Sequence, residues 1–229
     1  MCMDEEKLEL ESEPNQKLIE LSTMNWVNRL CRENNVELIF FLQKNKDITY
    51  HYDSAYYHVE RLDKLLNERK KIYVKSLPTV LEEKKKPIGT NNFDFYEFDS
   101  FVLSVKSCLN SLAVFFINNC LNKDSNTKWV SIKDFYSKID RNKFKESEDV
   151  QQIFLKNKNW IISLNDKRTN IAHLSPASLP SHWTLKSIME KKFTLIFYDK
   201  EVDILDYSID SLKHMKSLII DLFTVFFKK

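Results

Sequence analysis

The chain has 229 residues, 43% of them hydrophobic, with 1 Gly and 5 Pro, so it can bury a sizeable core but is poorly supplied for the tight turns and bulges that sandwiches and barrels require. A formal net charge of +2 excludes a strongly basic nucleic-acid coat, and any contact with a polyanion has to be local. A single glycine also leaves no material for a phosphate-binding glycine loop.

Residues 1–13 read as a flexible, acid-rich amino terminus, and Pro14 then opens a helical pattern that lasts through Cys31. A second long helix is expected from Asp53 to Lys71 or further, stopping before Pro87-Ile88-Gly89. A third starts after Asn91-Asn92 and carries an apolar stripe of Phe98, Phe101, Val102, Val105, Leu109, Leu112 and Phe116. Ser100, Ser104, Ser107 and Ser111 make a small-residue row on another face of that helix, suited to close packing. Residues 122–126 read as a loop, a short helix is expected near Ile132 to Ile139, and 141–149 is a charged connection. Past the motif helix and the loop from Ser175 to Pro180, residues 193–198 and 202–205 flank Asp199-Lys200-Glu201 and read as a small β-hairpin. A last helix is expected from about Ser208 to Phe227. With no Gly- or Ser-rich linker, 14–229 reads as one all-α domain, a bundle of about five long helices with the small hairpin before the last.

The motif helix, at about 148–174, holds the chemistry. Val150, Ile153, Phe154, Asn157, Trp160, Ile161, Leu164, Arg168 and Ile171 recur at the three- and four-residue spacing of one helix face. Arg168 therefore falls on an apolar stripe. A guanidinium there is costly unless an anionic group accepts its hydrogen bonds. Asp166, Asn170 and His173 make a polar row beside it, and Pro176 and Pro180 favour an end to the helix near His173. At a helix carboxyl end an imidazolium is favoured by the macrodipole.

At Arg168-Thr169-Asn170-Ile171-Ala172-His173 the chain resembles the HEPN superfamily, whose ribonuclease members carry Arg, four to six residues, then His at the end of a core helix. The helix from Phe95 to Phe116, with Tyr96-Glu97-Phe98-Asp99 at its start, is similar to the long helix that precedes the motif helix in bacterial HEPN-like proteins. The resemblance covers roughly the last two-thirds of the chain. It departs from the family at one position, where Thr169 follows the Arg and Asn170 comes one place later. What the resemblance implies is a metal-independent endoribonuclease that cuts single-stranded RNA and pairs as a homodimer, so that two motifs line one cleft. Arg168 and His173 would be catalytic, with Asp166, Thr169 and Asn170 in support and no cofactor. A toxin or defence effector held by a neutralising partner protein is the setting it suggests. The readings to weigh against it are a non-catalytic HEPN-like module that holds RNA, a nucleotide or a partner, and a helical scaffold in which Arg168 is a buried ion-pair residue.

The other candidates read as structural. His51 and His58 lie one heptad apart without a third ligand and fit a solvated helix face, and His214 is most simply paired with Asp210 one turn earlier. Cys2, Cys31, Cys108 and Cys120 form no Cys-x-x-Cys pair and read as reduced thiols. Arg69-Lys70-Lys71 and Lys84-Lys85-Lys86 lie beside glutamates and read as solvated surface. Met1-Cys2-Met3-Asp4-Glu5-Glu6 is acidic where a signal peptide is basic, and Lys106 and Asp221 interrupt the longest apolar runs, so a cytoplasmic protein with no membrane segment is expected.

Overall fold

The computed structural model describes residues 16–83, 93–121, 126–141, 143–144, 147–173, 181–182, 194–197 and 200–228. They are overwhelmingly helical: α1 (Gln16–Ile19), α2 (Thr23–Glu33), α3 (Leu38–Lys44), α4 (Lys46–Glu83), α5 (Phe93–Phe116) with a π-helical continuation (Ile117–Leu121), α6 (Ile132–Asp140), α7 (Glu148–Lys156), α8 (Lys158–His173) and α9 (Ile204–Phe227). The expected acidic terminus 1–13, the 122–125 part of the expected loop and the whole proline-bounded loop 175–180 lie outside the described residues.

The largest helix pairing is between α4 and α5. They run antiparallel, because Cys108 Sγ donates to the Ile48 carbonyl at 3.4 Å, Ser54 Oγ meets Ser104 Oγ at 2.9 Å, and His58 Nδ1 meets Glu97 Oε2 at 2.8 Å. The Ser54–Ser104 contact comes from the small-residue row, which lets two helix backbones come close. The α5 stripe is the centre of the core: Phe98, Phe101, Val102, Val105, Leu109, Leu112 and Phe116 are all fully buried. Phe95–Leu121 is long and apolar enough to cross a membrane, and in this fold its stripe is enclosed by the neighbouring helices. Helix α9 lies parallel to α5, with Tyr207 against Phe98 at one end and Phe223 against Phe116 at the other. Phe41, Phe115, Phe226 and Phe227 join that second end, mostly edge to face.

Local chemistry sets the element ends. Ser131 Oγ accepts from the Asp134 amide at 3.0 Å to cap α6, and Asp203 Oδ1 accepts from the amides of Leu205 and Asp206, each at 3.0 Å, to cap α9. Among the described residues, left-handed backbone falls to Asn35 and Ser147, each at φ 54°. Two helices expected as continuous are divided. The stretch from Pro14 to Cys31 breaks between Ile19 and Thr23, where Tyr52 Oη donates to the Leu21 carbonyl at 2.9 Å. The motif helix expected at about 148–174 breaks at Asn157, whose Nδ2 folds back onto the Ile153 carbonyl at 2.9 Å while Tyr136 Oη takes the Phe154 carbonyl at 2.8 Å. Four helices of sixteen or more residues, α4, α5, α8 and α9, stand among the described residues in place of about five. Before α9 the backbone carries three short strands, β1 (Ser181–His182), β2 (Thr194–Phe197) and β3 (Lys200–Asp203), with Leu195 opposite Val202 and Ser181 opposite Leu195.

Candidate functional site

Helix α8 carries every residue singled out for chemistry. It is anchored at its start by Lys158, whose Nζ lies 2.8 Å from both carboxylate oxygens of Asp140 and 5.7 Å from the centre of the Tyr136 ring. Ile161 and Leu164 are fully buried, and α8 packs on α5, α6 and α7. These contacts fix which face of α8 is inside. Arg168 follows Ile161 by seven residues and Leu164 by four, so by register it continues the inward face. Asp166 is exposed, and Asn170 and His173 follow it by four and seven residues, continuing an outward row.

The backbone is helical up to His173, so five residues of helix separate Arg168 from His173 by about 140° of rotation and about 7.5 Å of rise. The side chains of Arg168, Thr169, Asn170 and His173 lie outside the described residues. The structure therefore places Asp166, Arg168, Thr169, Asn170 and His173 on one helix.

Three histidines behave otherwise than their local sequence indicates. His214 does not pair with Asp210; that carboxylate takes Lys213 at 2.9 Å, and the His214 ring stacks on Trp160 of α8 with centroids 5.5 Å apart. His58 is not on a solvated face; it is half-buried against Glu97, which also receives Arg61 at 3.6 Å. Glu97 is thirty-nine residues from His58, so no local pattern signals the pair. His51 is half-buried too, and burial lowers its imidazole from the ordinary value, with nearby Asp47 opposing the shift in part. Cys31, Cys108 and Cys120 are buried free thiols. Burial pushes Cys108 far up, and the nearby Asp53 charge adds to the shift. Among the described residues no group of three His, Cys, Asp or Glu side chains gathers as metal ligands. No family model, curated protein or solved structure matches the chain.

Proposed function

We propose that the chain is a metal-independent endoribonuclease of the HEPN kind, acting on single-stranded RNA as a homodimer. The observation that carries this reading is α8: a helix seated by Ile161 and Leu164, with Arg168 in register with the buried face and helical backbone reaching His173. RNA supplies the nucleophile. The 2′-oxygen forms a bond to phosphorus as the bond from phosphorus to the 5′-oxygen breaks. The 2′-hydroxyl proton passes to one neutral imidazole, and a second, protonated imidazole supplies the proton for the departing 5′-oxygen, leaving a 2′,3′-cyclic phosphate. Arg168 holds the scissile phosphate through two N–H donors and stabilises the added negative charge. Each chain has one His173, so acid and base come from two chains across an isologous interface. Asn170 and Thr169 orient RNA beside them, and Asp166 favours the charged imidazole. An RNase of this kind fits a cytoplasmic toxin or defence effector held by a partner protein.

Cleavage of single-stranded RNA in the presence of a chelator, with product ends identified, tests the reading. His173→Ala and Arg168→Ala are each expected to abolish cleavage while the melting midpoint stays close to that of the parent. Unfolding of Arg168→Ala together with an inactive parent would sink the assignment, because a buried ion pair that loses one partner costs about 3–5 kcal/mol. Light scattering that finds only monomer at high micromolar concentration counts equally against it. Thr169 in the place after the Arg favours a second reading, a non-catalytic module using the same helix, and RNA binding without cleavage selects it.

A further inference from the structure

A pocket of about 280 Å³ opens between the α3–α4 junction, the last turns of α5 with its π-helical continuation, and the segment that leads into α6. No residue of α8 lines it. At its wall sits Asn45, 5% exposed, whose Nδ2 donates to the Phe41 carbonyl at 2.9 Å. Its Oδ1 is buried and receives no hydrogen bond from the described residues. A buried acceptor left in that state costs stability, and a donor that reached it through the pocket would remove that cost.

The pocket is also lined by an exposed tryptophan on a held backbone. Trp129 is 70% exposed, against 2% for Trp26. The segment carrying it is held at both ends: Asn118 pairs with both the amide and the carbonyl of Thr127, each at 2.9 Å, and the Ile132 amide donates to Asn110 Oδ1 at 2.8 Å. Asn118 belongs to the π-helical turn, a departure from the α-helix that recurs at ligand sites. A rigid aromatic face left in solvent suits stacking of a flat ring. Lys44 and Lys128 also line the pocket and bring two ammonium groups, and Asp47 brings one carboxylate.

We propose that this pocket binds a nucleotide whose base carries an exocyclic amino group. The amino group donates to Asn45 Oδ1, the base stacks on Trp129, Lys44 and Lys128 hold the phosphate, and Asp47 accepts from the ribose hydroxyls. A sugar phosphate offers no planar ring to stack on Trp129, and a neutral peptide would leave the two ammonium groups without an anion. The site stands apart from α8 and does not rest on the ribonuclease reading.

Titration calorimetry and tryptophan fluorescence on the full chain test it, with adenosine 5′-monophosphate as the probe. The monophosphate is expected to bind and to quench fluorescence. Purine riboside 5′-monophosphate, which lacks the amino group, and adenosine, which lacks the phosphate, should each bind about tenfold more weakly or worse, as one lost hydrogen bond or charge contact implies. Trp129→Ala should lose binding and Trp129→Phe should keep most of it, while His173→Ala leaves the affinity unchanged. A short oligoadenylate that binds more tightly than the monophosphate identifies RNA as the source of the nucleotide; equal or weaker binding identifies the free nucleotide. No heat at millimolar monophosphate, equal affinity for the probe lacking the amino group, or undiminished binding by Trp129→Ala overturns the proposal.

Discussion

Leu164→Ala tests whether α8 is held where the proposed chemistry needs it. Leu164 is fully buried on the face of α8 that meets the bundle. The substitution removes three carbons, worth about 2.4 kcal/mol at about 0.8 kcal/mol for each buried methylene. The space left behind adds to that, because α5 and its neighbours are close-packed helices that relax only in part, and the total expected is about 3–4 kcal/mol. For a chain of this size the melting midpoint should fall by roughly 6–16 °C, at about 2–4 °C for each kcal/mol. Urea unfolding gives the free energy, and RNA cleavage is then measured well below the variant's own midpoint. There the folded population is full, so any loss reports geometry. A shift of about 1 Å in a catalytic group can cost about 10²-fold. Leu30→Ala is the control, since Leu30 is 1% exposed in α2, which contacts α3, α4 and α9. It should lose comparable stability and keep its cleavage rate. Parallel losses of cleavage in both variants would refute the reasoning, and a Leu164→Ala cost under about 1 kcal/mol would show that α8 is not seated as described.

Tyr136→Phe should cost only about 1 kcal/mol by urea unfolding, because the Phe154 carbonyl it releases keeps the Asn157 amide at 3.1 Å and is not orphaned. His51 binds a proton less readily in the folded chain than in the unfolded one, so the unfolded state takes up protons first as the pH falls through 6.5. Stability should therefore decline below that pH, and His51→Gln should flatten this limb when urea midpoints at about pH 7.5 and about pH 5 are compared. Mixing equal amounts of unfolded wild-type and His173→Ala chains and refolding them should leave about one quarter of the activity if two histidines from two chains are required, since only that share of random dimers is wild type on both sides. A residual of about one half would mean that each chain works alone.

The α5 core was legible because its pattern is local: large apolar residues at helical spacing over more than five turns admit one inward face, and every stripe residue is buried. The helix breaks were not legible, for one shared physical reason. Across Asn157 the apolar period continues, with Val150 and Phe154 buried before it and Ile161 and Leu164 buried after it. What stabilises the break is a hydroxyl from Tyr136, eighteen residues from the carbonyl it reaches, and at the α1–α2 break Tyr52 does the same from thirty-one residues away. Asn157 and Asn25 also reach nearby carbonyls, but an asparagine inside a continuing apolar period does not by itself mark a break, and the distant hydroxyl donors leave no signal in the adjacent sequence. The same distance hid the partner of His58. The Asn45 pocket was equally silent in sequence, because its walls come from residues 44–48, 110–119 and 128–129, and no motif spans them.

The motif itself shows what a one-dimensional spacing leaves open. Arg168 and His173 are close in sequence, but on the helical backbone of α8 they sit about 140° apart, so one belongs by register to the inward face and the other to the outward row. A phosphate held by one chain's Arg168 therefore has no geometric guarantee of lying beside the same chain's His173. In the proposed dimer, a second chain related by a two-fold axis would supply its own His173 to a phosphate held by the first chain's Arg168. A guanidinium on a packed face is costly without acceptors, and a bound phosphate would supply them. The angular separation is thus a reason to test the proposed chemistry between two chains by the mixing experiment.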